Sequence, residues 1–560
     1  MKIVIVGGVA GGASAAARLR RLDENAEIIM FERGEYISYA NCGLPYYIGG
    51  AIEDRNALLV QTPQAMRDMF NIDVRVLSEV RSIDRQNKTV VVADLVSGRE
   101  YREGYDKLIL SPGAAPIRPP VPGIEMDNIY TLRTVPDTDA IKEAVDWGKP
   151  ARAVVVGGGF IGLEMAENLH QRGIEVTIVE AADQVMAPID YEMACMVHSH
   201  IRSKGLKLYL KDGVKTFHQE GNGVNVELQS GRRIGADMVI LAIGVKPDVF
   251  LAAGAGLEIG QRRGIKVNPY LQTSDPDIYA VGDAIEVKDF VNGEDTVIPL
   301  AGPANRQGRI AANNIYGAGE EYRGTQGTSV VKVFDLTVAA TGNSEKLLKR
   351  MEIDYVKSYT ESNSHAGYYP GAFPMNIKLL FAPDGKVLGA QIVGYEGVDK
   401  RIDVLASAIR FGGTVYDLEE LELAYAPPYS SAKDPVNMAG YVASNQLKGD
   451  MVTIFWDQVD SLDRERVLLL DVRAPEEADT GSIAGSLNIP LNELRERIHE
   501  VPRDKEIIVY CKMGLRAYIA YRTLVQMGYK NVRNLSGGYR LYAAVKEANK
   551  AVQDDKALIG

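Results

Sequence analysis

An α/β protein with several cores is predicted by three features of this 560-residue chain. A unit of strand, glycine turn and helix occurs twice. A strand-rich stretch begins near residue 326. A second alternation of buried strands and helices fills the C-terminal part. The length exceeds what one core supports and points to three or four domains. Hydrophobic residues make up 46% of the chain, so large cores are easily filled. The formal charge of -11 argues against nucleic acid or an anionic membrane as a partner. Three cysteines, an odd number, make no disulfide framework and suit a reducing compartment. The opening MKIVIVGG lacks the basic head, long apolar run and cleavage site of a signal peptide. No apolar run approaches the roughly 20 residues needed to cross a bilayer. The expectation is a soluble, cytoplasmic protein.

The first unit is KIVIVGGVAGGASAAARLRRL. Lys2 to Val6 reads as a buried strand and the alanine-rich stretch as a helix. The turn between them, Gly7, Gly8, Val9, Ala10 and Gly12, would let a pyrophosphate approach the helix N-terminus. In the pattern G-x-G-x-x-G the middle glycine falls at Val9, a departure. Glu32 ends the next strand, 20 residues beyond Gly12, where a carboxylate can accept from a ribose. The second unit, ARAVVVGGGFIGLEMAENLHQRGIEVTIVEA, has all three glycines at Gly157, Gly159 and Gly162, with Phe160 and Ile161 between them. Glu180 ends its following strand. An acid there favours the free 2′-hydroxyl of NADH and repels the phosphate of NADPH. Two Rossmann-like dinucleotide-binding domains follow. LILSPGAAPIRPP, with Ser111 and Gly113, and MVILAIGVKPD, with Gly244, read as strands running into turns that cross between them. The first domain is therefore discontinuous, 1-110 and 237-325, with the second inserted at 111-236.

Over about residues 1–445 these motifs resemble the pyridine nucleotide-disulfide oxidoreductase family. The resemblance identifies IYAVGDA, with Gly282 and Asp283, as a second FAD fingerprint whose aspartate holds the ribityl chain. It implies FAD beside NADH, and adds Arg33, Asn41, Val80 and Ala301 to the cofactor contacts. It also implies an α+β dimerisation domain over 326-446, from TSVVKVFDLTVAATG and MNIKLLFAPDGKVLGAQIVG, and hence a homodimer.

Cys42 stands alone in SYANCGLPYYIGG. CGLPYYIGG reads as a helix beginning after Asn41, an N-cap-type residue. A helix N-terminus or local positive charge would lower the thiol pKa and favour the nucleophilic thiolate. This stretch closely resembles the single-cysteine branch that includes coenzyme A-disulfide reductase. In that branch the cysteine forms a mixed disulfide or persulfide with substrate. Relatives with a lone cysteine also include NADH peroxidases and oxidases, in which it cycles through a sulfenic acid, and this alternative stays open. Arg18 and Arg21 lie three apart on one helix face, where coenzyme A phosphates could meet them. HAGYYPGAFP and LAYAPPYSSAKDPVN resemble paired tyrosine segments that reach the partner subunit's site. Tyr425 is the match in the second and Tyr368, rather than Tyr369, in the first; a phenol there can protonate a leaving thiolate. The resemblance further places Ser14, Ser38, Asn41, Asn305 and Lys433 around coenzyme A. Asn305 stands where some relatives carry histidine.

From residue 455 to 550 the pattern resembles rhodanese, an α/β sulfurtransferase domain, through DVR, NIPL, CKMGLRA and NLSGGY. Cys511 ends a buried strand. The six-residue loop Cys511, Lys512, Met513, Gly514, Leu515 and Arg516 can curl backbone N–H groups around a sulfur atom. Cys195 falls on an apolar helix face and reads as core. His198 and His200 are two apart, poor for shared ligation, and no metal signature is found. Together the two sulfur chemistries suggest reduction of persulfides, polysulfides or coenzyme A disulfide by NADH through Cys42, with Cys511 handling sulfane sulfur.

Overall fold

The computed structural model describes residues 1–557. They divide into two compact units, the first Met1–Val179 with Gly213–Gly327, the second Glu180–Asp212 with the chain from Thr328 onward.

The first unit is organised by two parallel sheets. One runs Ile278–Ala280, Lys107–Leu110, Lys2–Val6, Glu27–Phe31, Asp73–Arg75. Its central strands are unbroken apolar runs because both faces are covered; Ile3, Val4 and Ile5 are fully buried. The last strand to join, Ile278–Ala280, pairs with Lys107–Leu110 from the far side of the second nucleotide motif. Over this sheet the helix Ala10–Leu22 packs on the helix Ala301–Ile315. The other sheet places Glu175–Glu180, Arg152–Val156, Met238–Leu241 and Ile129–Thr131 side by side. The two crossing segments hydrogen-bond to each other as short antiparallel strands, Ala114–Pro116 with Val245–Pro247. Gly113 and Gly244 precede them at φ +73° and +110°, a region open to glycine.

The second unit holds a five-stranded antiparallel sheet in the order Ser329–Val333, Leu336–Gly342, Val387–Gly394, Pro374–Phe381, Val356–Asn363. Every residue of Val387–Gly394 is buried. The helices Val398–Arg410, Pro435–Leu447 and Tyr191–Ser203 cover it. A second, parallel sheet orders Thr453–Ile454, Val532–Leu535, Glu506–Tyr510, Val467–Asp471 and Leu487–Asn488. Its C-terminal helix Gly538–Ala557 lies against Tyr191–Ser203. There fully buried Cys195 packs with Val545 and Ala548, as core, and Tyr191 Oη donates to Asn549 Oδ1 at 2.6 Å. Among the described residues no helix is long and apolar enough to cross a membrane.

Candidate functional site

The first glycine turn is shaped by close backbone approach. A Cβ on Gly12 would strike the Gly7 carbonyl, and one on Gly8 would strike Ile37. Gly7 itself sits at φ +97° against the Ser111 carbonyl. The helix that starts at Ala10 follows Val9 with no side-chain cap, so its first N–H groups face outward, toward where an anion would sit. The Glu32 carboxylate accepts from Gly8 N and Gly34 N, each at 3.0 Å, and thereby fixes the turn. Gly282 N donates to Gln307 Oε1 at 2.8 Å. Burial pushes the adjacent Asp283 carboxyl up, against the pull of Arg133. These features fit a dinucleotide: an uncapped helix start, a cradle a Cβ would fill, and two carboxylates at its rim. Val80 is buried in the strand Ser78–Asp84. Arg33 is exposed and 3.9 Å from Asp248, and Ala301 opens the helix Ala301–Ile315.

The second turn repeats the design. A Cβ on Gly162 would strike the Gly157 carbonyl, while Gly159 has open space around it. The helix Phe160–Gln171 begins after Gly159 without a side-chain cap. In the other unit Glu180 Oε1 accepts from Ala182 N at 2.7 Å, which holds the carboxylate in place just past its strand.

Cys42 is exposed and free. Two expectations about it need correction. Asn41 is not a cap: it starts a single 3-10 turn, Asn41–Gly43, and the helix Leu44–Gly49 begins after Gly43 without a side-chain cap. Pro45, which needs no N–H partner, suits that first turn. Nor is the thiol pulled down. Although the residue reaches the surface, its sulfur is partly enclosed, and that enclosure first, then the charges of Glu164 and Asp283, push its pKa up. The same burial pushes Glu164 up to about 7. Ser38, at φ +43°, brings its N–H to the Gly8 carbonyl at 2.8 Å and so ties the cysteine loop to the glycine turn.

Beside the first turn, Ser14 Oγ donates to Asn305 Oδ1 at 2.8 Å and Arg18 Nε to Asn313 Oδ1 at 2.7 Å. Arg21 is exposed on the same helix. The stripe Ser14, Arg18 and Arg21 thus forms one face with Asn305.

In the second unit the two chosen tyrosines meet: Tyr368 Oη and Tyr425 Oη are 2.6 Å apart, while Tyr369 turns its ring onto His365. Their loops are pinned by Arg401, which is 1% exposed. Its Nη2 donates to Ser364 O, Ser430 Oγ and Asp434 Oδ2 at 2.9, 3.1 and 2.9 Å. A cavity of about 440 Å3 opens there, lined by Ser364, His365, Arg401, Tyr425 and Tyr429. Lys433 is exposed, next to buried Asp434 in sequence.

Cys511 is 2% exposed at the end of the strand Glu506–Tyr510. Gly514 N donates to its Sγ at 3.1 Å, so one backbone N–H of the loop points at the sulfur. Gly514 takes φ +141° to do this. Arg516 closes the loop by donating to both oxygens of Glu477, at 2.5 and 2.8 Å, which holds that carboxyl down at about 2. Lys512, Met513 and Leu515 are exposed around the sulfur.

Sequence reasoning passed over Glu164, Tyr46, Gln307, Arg401 and Glu477. Glu164 carried a signal, a carboxylate inside the helix that follows the second glycine turn. The others sit in stretches that read as ordinary loop or helix surface.

A pyridine nucleotide-disulphide oxidoreductase family model matches residues 1–308, its dimerisation-domain model 328–435, and a rhodanese-like domain model 457–544. A coenzyme A disulfide reductase of Staphylococcus epidermidis is 38% identical over 444 residues, 79% of this chain and 99% of the relative. The crystal structure of reduced Bacillus anthracis CoADR-RHD is similar with a TM-score of 0.96 at 58% identity, covering 98% of each chain. A NAD-dependent persulfide reductase from A. fulgidus is similar with a TM-score of 0.91 at 39% identity, covering 97% of this chain and 100% of that one.

Proposed function

The chain belongs to the pyridine nucleotide-disulphide oxidoreductase family, and from that premise we propose that it oxidises NADH to reduce the S–S bond of coenzyme A persulfide, polysulfide or coenzyme A disulfide. One observation carries the reading. Cys42 is exposed and is the only cysteine of its unit, so the second sulfur of any disulfide chemistry there arrives with the substrate.

In this reading the Cys42 thiolate attacks one sulfur of the S–S bond and forms a mixed disulfide. The other sulfur leaves as thiolate or hydrogen sulfide. The two electrons that return Cys42 to the thiol come from NADH, and bound FAD is their carrier. The turn Gly7–Gly12, Glu32 and Asp283 hold that cofactor, and Gly157, Gly159, Gly162 and Glu180 receive NADH. Ser14, Arg18, Arg21, Ser38, Asn41 and Asn305 contact coenzyme A. Tyr368 and Tyr425 share one proton-bearing contact and supply a proton to the departing sulfur; they do so across a homodimer interface, for which the dimerisation-domain match is the support. Cys511, cradled by Gly514 N–H, accepts sulfane sulfur and passes it on.

Anaerobic NADH consumption is the test, with coenzyme A persulfide, polysulfide, coenzyme A disulfide and hydrogen peroxide as acceptors. The sulfur compounds are expected to turn over and peroxide is not. Cys42→Ser is expected to lose all reduction and keep thiosulfate sulfurtransferase activity. Cys511→Ser is expected to keep reduction of small acceptors. Faster turnover with peroxide than with any sulfur acceptor would establish the peroxidase reading instead.

A further inference from the structure

Tyr368 and Tyr425 are 57 residues apart and stand on stretches without regular structure, yet their hydroxyls lie 2.6 Å from each other. The side chains are 75% and 47% exposed, so burial does little to hold the phenols in register. Backbone bonds close each stretch. Ser364 N donates to Phe373 O at 2.8 Å and Phe373 N to Ser364 Oγ at 3.2 Å, around Tyr368. Ala426 O, just past Tyr425, accepts from Tyr429 N and Ser430 N at 2.9 and 3.1 Å. A backbone bond joins the two stretches, Ala366 N to Ser430 O at 3.0 Å.

Arg401 joins them more firmly. It is the fourth residue of the helix Val398–Arg410 and is 1% exposed. A cation there meets two costs, the loss of water and the positive end of the helix. The chain gives way for it: at Gly397, φ +68°, a Cβ would strike its Nη1. All three guanidinium nitrogens turn inward. Nε donates to Asp434 Oδ2 at 3.2 Å and Nη1 to Gly397 O at 3.3 Å. Nη2 reaches Ser364 O on one tyrosine stretch at 2.9 Å, and Ser430 Oγ and Tyr429 O on the other at 3.1 and 3.4 Å. Ser430 Oγ donates in turn to Asp434 Oδ2 at 2.6 Å. Arg401 lines the cavity beside Tyr425, but its donors are engaged within the protein. That arrangement suits a brace between two loops rather than a seat for an anion.

We propose that Arg401 is a positioning residue for the Tyr368–Tyr425 pair: its planar fork holds both loops and so keeps the two hydroxyls in contact as one proton donor. This deepens the reading of that pair as the proton source for the departing sulfur and rests on it.

The fork matters more than the charge. Arg401→Lys keeps a cation beside Asp434, but an ammonium is a compact point of charge and does not span Ser364 and Ser430 in one plane. With the brace gone, Ala366 N to Ser430 O is left as the bond between the stretches. The exposed phenols then separate in part of the population, and each loses the partner that fixes its hydroxyl.

The test is a double-mutant cycle on flavin-loaded, full-length protein. Anaerobic turnover of NADH with coenzyme A disulfide gives kcat, and rapid-mixing reduction of the flavin by NADH checks that each variant is folded and loaded. Tyr425→Phe is expected to lower kcat by about 100-fold. Arg401→Lys is expected to lower it by about 10-fold through misplacement, with KM for NADH unchanged. The double variant is expected to lose far less than the product of about 1,000-fold, because Arg401 acts through a tyrosine that is already gone. A merely structural role would multiply the two losses. The full product, or an Arg401→Lys kcat equal to that of the unaltered protein, overturns the proposal. Full turnover in Tyr425→Phe overturns the reading beneath it and the proposal with it, so the two failures are told apart. Should Arg401→Lys fail to fold, Ser430→Ala takes its place in the cycle, since it removes one tie and keeps the Arg401–Asp434 pair. It is expected to slow turnover without adding to the loss in Tyr425→Phe, and losses that multiply, or no loss, overturn the proposal equally.

Discussion

Lys378 has no exposed surface and still carries a charge. Its Nζ lies 2.9 Å from Asp190 Oδ2 and 2.6 Å from Glu345 Oε2, and it donates to Glu192 Oε1 as well. Asp190, Glu192 and Glu345 are gathered closely enough to suit a cation, and the ammonium is the cation they hold. Burial alone would discharge it, but three carboxylates raise its pKa above the ordinary lysine value. Burial likewise opposes ionised Asp190 and Glu345, and Lys378 more than offsets it, so both lie below the carboxylate range. The signs set the pH window. The depressed carboxyls contribute stability that is complete above their ordinary values of 3.8 and 4.5 and is lost as pH falls through the lowered ones. The lysine contributes below 10.5 and its share is lost as pH rises through the raised value. Lys378→Met leaves buried Asp190 and Glu192 without their ion-pair partner, while Glu345 keeps Lys349 and Lys357, and is expected to cost about 3–5 kcal/mol in chemical denaturation at neutral pH. Its stability should recover on acidification, as those carboxylates gain protons, while the unaltered protein weakens. A loss under about 1 kcal/mol, or a variant that weakens further in acid, would show that the cluster is solvated. None of this was legible beforehand. In MNIKLLF the lysine reads as one more strand residue, and its partners come from sequence far away. Cys42 and Cys511 were legible because each is a rare residue inside a glycine-bearing pattern whose backbone geometry the chemistry needs.

Helix packing shows where a local signal is strong and where it is silent. The helices Ala10–Leu22 and Ala301–Ile315 touch through small residues, and a Cβ on Gly308 would run into the Gly11 carbonyl and the Ala15 amide nitrogen. These atoms are backbone and cannot swing aside. Gly308→Ala is therefore expected to destabilise by about 1–3 kcal/mol through overpacking, despite alanine's better helix propensity. Because Gly11 and Ala15 flank the pyrophosphate turn, purified variant should also carry less flavin, read from its visible absorbance. A more stable variant with full flavin would mean that the helices sit farther apart. The glycine turns themselves were readable from spacing, since strand, turn and helix are contiguous there. The strand Val356–Asn363 was not: VKSYTESN is mostly polar, lies at a sheet edge, and owes its place to pairing with Pro374–Phe381. The supposed cap at Asn41 failed for a similar reason. Its residue type suits a cap, but the chain spends it on a 3-10 turn ahead of Pro45.

At the scale of the whole molecule, the C-terminal sheet shares a compact unit with the five-stranded sheet, although the sequence pattern reads as two independent domains joined at about residue 450. The seam explains why. Tyr359 N donates to Ser536 Oγ at 3.3 Å, Arg540 Nη1 to Glu361 Oε1 at 2.8 Å, and Gln446 Nε2 to Thr453 Oγ1 at 3.1 Å. Lys357 Nζ lies 4.4 Å over the Phe455 ring. The helix Gly538–Ala557 seals Cys195 with Val545 and Ala548, residues that are 0–4% exposed. Periodicity marks a buried face but not what buries it, so the apolar face around Cys195 was readable as core while its cover was not. Removing the chain after Lys448 strips that cover. Apolar burial contributes about 25 cal/mol per Å2, and Glu361, whose carboxyl burial pushes up, would lose Arg540. The truncated protein is expected to melt at a lower temperature and to expose Cys195 to thiol reagents, while Cys195 in the full chain stays unmodified. If the truncated chain melted unchanged with Cys195 still protected, the C-terminal sheet would be an appended passenger, and the seam would contribute nothing to the fold it covers.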